Sequence, residues 1–303
     1  MDGNKKARGI ALHDRSTQGA RDRRAFLRAM GGLAGSMATA QTLAATFAAS
    51  PAVAAIVAPD DKRLRTSAIH WPATDGRTLH GYMAIPAKAR GRQPAVMVVH
   101  DDRGLDDHIR DLTRRIALEG FVVCAPDFFW GAGETSADRA AARATIGRLD
   151  LARTVADAAA TVHWLATNRY ATGKVGAVGF GWGGALVDRT AIAAGSELVA
   201  AVAYYGPAPD PAEAARVKAA MLLHFGALDH RINQSGRPWA AALEAASVPT
   251  QAWFYEGADH AFDDDSSAGR YDPAAAALAW RRTVAFLKDQ LEPPRRHAAA
   301  KNR

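Results

Sequence analysis

Three places in this 303-residue chain hold residue types suited to acid, base or nucleophilic chemistry, and they follow one another in a set order. The first is Gly179-Phe180-Gly181-Trp182-Gly183, which follows the apolar residues 175–178 and leads into a helical pattern. A short strand, a glycine-spaced turn and a helix start form an elbow that lifts one side chain above the end of a sheet, where it serves as nucleophile. The second is Asp229, just beyond an apolar run that ends at Phe225, and the third is His260, within Ala258-Asp259-His260-Ala261-Phe262. Elbow, acid and histidine in that order match a hydrolytic triad, in which the acid orients the imidazole and the imidazole acts as general base near neutral pH. The apex of this elbow is Gly181, which brings no attacking atom. Its flanking glycines suit a turn whose backbone packs too closely for a Cβ.

Further candidates lie in the neighbouring loops. Residues 100–105 contain Asp101, Asp102 and Arg103, and another apolar run ends in Tyr204-Tyr205-Gly206. The backbone N–H of Trp182 and one from the Asp101–Asp102 loop are the expected oxyanion donors. Arg103 either holds a substrate carboxylate or pairs with a nearby acid. Tyr205 either donates a hydrogen bond into the site or packs as its wall, and the two aspartates either join the site or cap the following helix. Asp263-Asp264-Asp265 lacks the spaced ligands of a cation loop and reads as a solvated turn. Cys124, the only cysteine, alternates as a core position within residues 121–125 and reads as inert packing. A single cysteine excludes an intramolecular disulfide and a cysteine metal cluster.

These residues need a scaffold that brings distant loops to one edge. Residues 64–71 and 78–85, separated by Asp75-Gly76, predict an antiparallel hairpin on a sheet edge. Residues 95–99 form a continuous apolar run, as in a strand buried on both faces, and a helix over 106–119 leads to a second such run over 121–125. One or two amphipathic helices over 136–168 precede the elbow. Beyond it the pattern predicts strands over 198–204, 220–225 and 250–255, and helices near 211–218, 234–246 and 273–291. Strands alternating with helices imply an α/β fold with a mainly parallel central sheet and helices on both faces. Ligands then bind beyond the carboxyl ends of the strands, where the polar loops collect.

With 49% hydrophobic and 23% charged residues, the chain suits one globular domain with appendages. Its +7 charge belongs to the ends: residues 1–58 hold +5 and residues 293–303 hold +4, leaving −2 over 59–292. That distribution argues against a nucleic-acid partner, since no basic stripe crosses the folded part. Asp22-Arg23-Arg24-Ala25-Phe26-Leu27-Arg28 is a twin-arginine pattern, followed by an Ala/Gly-rich stretch and small residues around Ala52-Val53-Ala54. The expected organisation is a twin-arginine signal segment over 1–54, a folded domain over 55–292 and a basic disordered tail over 293–303. Export to the periplasm with no membrane span after processing follows, because polar residues interrupt the stretch over 29–49.

Together, the elbow, the loop from His100 to Leu105, Ala125-Pro126-Asp127, Tyr204-Tyr205-Gly206, the Asp229 turn and the His260 segment resemble the dienelactone hydrolases, or carboxymethylenebutenolidases. Arg270-Tyr271-Asp272 and Ala279-Trp280-Arg281-Arg282-Thr283 extend the resemblance over about residues 64–291. It implies an α/β-hydrolase fold, no metal or organic cofactor, and hydrolysis of a small ester or lactone. The family's cysteine nucleophile maps to Gly181, its acid to Asp229, its base to His260, and a carboxylate near the thiol to Asp101. An arginine that some members hold four residues after the histidine is replaced by Asp264. Two functions are therefore expected to compete. One is a hydrolase in which His260 and Asp229 activate water, or whose activity is reduced; the other is a non-catalytic small-molecule-binding protein on the same fold. Sequence leaves the oligomeric state open. Export predicts that N-terminal sequencing of the periplasmic form finds about 54 residues removed, whereas an intact Met1 in the cytosol contradicts it.

Overall fold

Residues 93–99 have no polar side to turn toward water, so they need apolar cover above and below. In the computed structural model, which describes residues 57–133, 139–265 and 269–292, they form an inner strand of an eight-stranded sheet. The expected signal segment and the basic tail lie outside the described residues. The strands are β1 (Leu64–Pro72), β2 (Thr78–Pro86), β3 (Gln93–Val99), β4 (Val122–Pro126), β5 (Ala171–Phe180), β6 (Leu198–Tyr204), β7 (Ala220–Gly226) and β8 (Thr250–Tyr255). Their spatial order is β1-β2-β4-β3-β5-β6-β7-β8. The β1–β2 hairpin is antiparallel and joins β4 antiparallel, while β4 through β8 run parallel.

Side chains of a strand alternate between faces, and two cores result. On one face Val96 and Val98 pack with Ile109 and Leu112 of α1 (Asp107–Leu118) and with Phe286 and Leu287 of α6 (Pro273–Leu291). On the other, Met97 and Val99 pack with Leu165 of α3 (Leu151–Thr167), Val187 of α4 (Trp182–Ala193) and Trp239 of α5 (His230–Ala245). Helix α2 (Arg139–Arg148) precedes α3. Cys124 has no exposed surface, and burial pushes its thiol far above the ordinary value, so it is a core residue.

Two elements differ from the sequence pattern. The expected helix near 211–218 is a 3-10 helix over Pro211–Arg216. Helix α5 begins at His230 rather than near Gln234, because Asp229 caps it: the carboxylate accepts the Ile232 N–H. Among the described residues no helix is long and apolar enough to cross a membrane.

One buried carboxylate ties the elbow helix to α5. Asp188 of α4 is 1% exposed and accepts the Trp239 Nε1–H at 3.2 Å. Burial, only partly opposed by that bond and by the charge of Arg189, pushes its carboxyl up from 3.8 to about 7. Between those values the folded protein keeps a proton that the unfolded chain has released, so stability falls as pH rises across that window. Asp188→Asn keeps an acceptor for Trp239 and removes the titration. Urea denaturation at several pH values should show the variant's stability slope flattened over that range by up to about 1.4 kcal/mol per pH unit. An unchanged slope would contradict the assignment.

Candidate active site

The elbow is built by close backbone approach. A Cβ added at Gly179 would lie 2.2 Å from Gly183 O, at Gly183 2.3 Å from His100 O, and at Gly184 2.5 Å from Tyr204 O. These contacts let β5 turn directly into α4 beside the ends of β3 and β6. Gly181 differs. Its φ of 54° and ψ of −113° lie in a region that side chains rarely occupy, yet a Cβ there would meet nothing closer than Tyr205 Cε2 at 3.8 Å. The strained apex geometry is kept, and the space in front of it is open.

The acid and the histidine reach this apex through a second close approach. A Cβ at Gly226 would lie 2.5 Å from Asp259 O, so glycine lets the end of β7 lie against the histidine loop. Backbone bonds join the two: Ala227 N–H donates to Tyr255 O at 2.9 Å and Leu228 N–H to Ala258 O at 3.0 Å. The Asn233 side chain donates to Gly226 O at 2.9 Å. Asp229, 5% exposed, then uses one oxygen for the α5 cap and the other, Oδ2, to accept the His260 Nδ1–H at 2.6 Å. With its proton on Nδ1, the imidazole keeps the Nε2 lone pair, which is the state a general base needs.

The oxyanion side is organised by His100. This ring is fully buried, and burial holds its pKa below the ordinary value. A neutral ring with its proton on Nδ1 donates to Asp101 O at 2.8 Å and accepts the Phe128 N–H on Nε2 at 3.2 Å. The same ring stacks on Trp182 with centroids 5.2 Å apart. His100 thus fixes the 100–105 loop against the first residue of α4. First-turn N–H groups of a helix have no intrahelical acceptor, and Gly181 supplies no side-chain cap, so the Trp182 N–H is available to a ligand.

A cavity of about 700 Å³ lies over the apex, lined by Gly181, Trp182, Tyr205, Asp229, His260, Asp101 and Asp102 among others. Arg103 is not part of its lining. It donates to Asp101 at 2.9 Å from its backbone and 3.0 Å from its side chain, and pairs with Asp106 and Asp264 at 3.4 Å. Of the two expected roles for Arg103, the structure places it in acid pairing. Tyr205 stands at φ 36° and gives its hydroxyl hydrogen to Asp263, while a ring carbon is the atom nearest the Gly181 apex.

The Asp263-Asp264-Asp265 run is not a solvated turn. Asp263 is bonded to Tyr205, and burial raises its carboxyl to about 6. Asp264 is 5% exposed and faces Arg103 and His108, while Asp265 pairs with His108 at 3.3 Å and Arg115 at 2.7 Å. Burial alone would lower the His108 pKa, but these aspartates hold it above the ordinary value. A run of acids reads as solvent-facing when the bases that neutralise it lie about 150 residues away in sequence.

Sequence reasoning gave no role to four basic residues of the cavity lining: His108, Arg143, Arg231 and Arg270. Arg270 stands in the Arg270-Tyr271-Asp272 segment of the resemblance without an assigned role, and the other three belong to no motif. The expected helix start near Gln234 hid Arg231, which is the second residue of α5 as it stands in the structure. Among the described residues no group of His, Cys, Asp and Glu is arranged to hold a metal ion.

A family model described as the dienelactone hydrolase family matches residues 79–291. A carboxymethylenebutenolidase of a Pseudomonas species is 31% identical over 233 residues, which cover 74% of this chain and 95% of the relative. The carboxymethylenebutenolidase of Pseudomonas putida is 29% identical over 231 residues, covering 73% and 96%. A solved dienelactone hydrolase-like promiscuous phosphotriesterase from metagenomic libraries is 26% identical, with a TM-score of 0.66 over 74% of this chain and 98% of its own.

The two tasks of Asp229 separate by mutation. Asp229→Asn keeps an oxygen for the Ile232 N–H but offers an amide to His260, whereas Asp229→Ala removes both. Urea denaturation should find the alanine variant less stable than the asparagine one by about 0.5–2 kcal/mol, the usual worth of a cap. Equal stabilities would mean the cap is inconsequential.

Proposed function

The chain belongs to the dienelactone hydrolase family, and we propose that it hydrolyses small esters or lactones by direct attack of water at a vacant nucleophile position. The observation that supports this most is the pairing of a bonded His260–Asp229 dyad with an apex, Gly181, held in its strained conformation over open space. A water in that space gives a proton to His260 Nε2 as its oxygen attacks the acyl carbon. Asp229 keeps the proton on Nδ1 and steadies the imidazolium that forms. The oxyanion is held by the Trp182 N–H and a donor from the Asp101–Asp102 loop; one such donor is worth about 2.7–4 kcal/mol. The carbon–oxygen bond then breaks, and His260 returns its proton to the leaving oxygen. No step requires a metal or organic cofactor.

Gly181 also favours a second reading, a small-molecule-binding protein that keeps the cavity without the chemistry. The twin-arginine pattern supports a periplasmic setting for either one.

An ester and lactone panel decides between them. The purified protein should hydrolyse at least one member, and His260→Ala should lose about 10²–10⁴-fold of that rate while remaining folded, because its side chain is partly exposed at a loop. Activity that persists in this variant would reject His260 as base. Gly181→Cys supplies an attacking atom where a Cβ has room, so it should raise hydrolysis by about 10²-fold or more, with product burst and an acylated Cys peptide by mass spectrometry. The φ of 54° should cost it about 1–3 kcal/mol of stability. A folded variant with neither acylation nor gain would favour the binding reading.

A further inference from the structure

One aromatic ring touches both the base and the place of the absent side chain. The Tyr205 ring makes a T-shaped contact with His260, with centroids 5.0 Å apart, and its Cε2 lies 3.8 Å from where a Cβ of Gly181 would stand. The position of this ring therefore sets how far the imidazole stands from whatever occupies the apex.

That ring is held by constraint from several sides. Tyr205 has a φ of 36°, a conformation that costs a side chain about 1–3 kcal/mol. Two close approaches keep the backbone there. The Tyr205 N–H donates to His224 O at 2.7 Å, and a Cβ at the next residue, Gly206, would lie 2.2 Å from Ala185 N. Phe262 packs against the ring with centroids 5.7 Å apart, and the hydroxyl at its far end donates to Asp263 Oδ1. Asp263 belongs to the same turn as His260. Within that turn Ala261 stands at φ 61° and accepts the Asp264 N–H at 3.2 Å, while Phe262 O accepts the Asp272 N–H at 2.8 Å. Two of the three non-glycine residues with positive φ among the described residues, Tyr205 and Ala261, thus meet at this one place. Backbone strain of this kind persists only where the surroundings enforce it, and it gathers at functional sites.

We propose that Asp263 is a positioning residue for the base: by anchoring the Tyr205 hydroxyl, it fixes the ring as a spacer between His260 and the Gly181 apex. The role rests on the reading of His260 as a working base. Asp229 holds the imidazole at one atom, Nδ1, and a single hydrogen bond leaves the ring free to tilt about that point. The Tyr205 ring supplies the second contact, which sets the plane of the imidazole. The histidine turn closes on Tyr205 from two sides, with His260 against the ring and Asp263 on its hydroxyl. Without the anchor the ring can shift, and the base shifts with it; a misplacement of about 1 Å costs up to about 10²-fold in rate.

The test uses the full chain and 4-nitrophenyl acetate at about pH 8, above the value of about 6 to which burial raises the Asp263 carboxyl, so that Asp263 stays an acceptor. Turnover is measured beside the NMR signals of the His260 ring in protein labelled with 13C-histidine, assigned by their absence from His260→Ala. Asp263→Ala should lower kcat by about 10–100-fold, change KM by less than about twofold, and move the His260 signals. Asp263→Asn keeps a carbonyl acceptor, so it should recover most of the lost kcat and return the signals toward their native positions. Tyr205→Phe keeps the ring and loses the hydroxyl; it should match Asp263→Ala, and the two changes together should cost no more than either alone. If Asp263→Ala fails to fold, Tyr205→Phe makes the same test. Unchanged kcat and His260 signals in either folded variant, or a loss in Asp263→Asn as deep as in Asp263→Ala, would overturn the proposal and leave the hydrolase reading intact. A native protein without hydrolysis would overturn the hydrolase reading instead. The His260 signals would then decide the role of Asp263 by themselves, moved signals supporting it and unmoved ones overturning it.

Discussion

The site depends on one carboxylate serving two elements. Asp229 caps α5 with one oxygen and binds His260 with the other, so the start of a helix and the orientation of the base are fixed by the same group. The oxygen that the cap leaves free is the one that holds the imidazole proton on Nδ1. The close approach at Gly226 and the two backbone bonds to Tyr255 and Ala258 make the arrangement stiff, because neither loop can move without breaking bonds to the other.

Against that fixed dyad, the elbow separates two demands that its glycines merge in sequence. Gly179, Gly183 and Gly184 answer packing, since backbone occupies the place of a side chain at each. Gly181 answers no packing demand. Its position tolerates a Cβ by contact and resists one only by backbone angle, as the apex of a nucleophile elbow does in general. The chain thus combines a strained turn and buried polar loops with an apex that carries no side chain. On the proposed hydrolase reading, water takes the place of that side chain.

Much of this was legible in the sequence. The buried strands declared themselves as apolar runs with no polar alternation, and the parallel order followed from strands alternating with helices. The Asp229–His260 pairing was legible because both members follow strands in the order a triad requires. What escaped was three-dimensional pairing. The run from Asp263 to Asp265 read as solvated because its partners, Arg103, His108 and Arg115, lie on the far side of the sheet sequence. For the same reason Arg103 could not be assigned between substrate and acid until its neighbours were in place. The early start of α5 was also missed, since an aspartate after a strand reads as a turn residue until its second oxygen is seen to cap. Arg143 and Arg231 reach the cavity from α2 and α5, and no local pattern marks such a convergence.

The central claim is that ester cleavage here proceeds without a covalent acyl-enzyme. Rapid-mixing kinetics of the native protein with an aryl ester, with intact-mass measurement of the protein during turnover, test it most directly. The account predicts steady turnover from the first cycle, with no burst and no mass added to the chain. A burst equal to the enzyme concentration, with an acyl group on any residue of this chain, would contradict it.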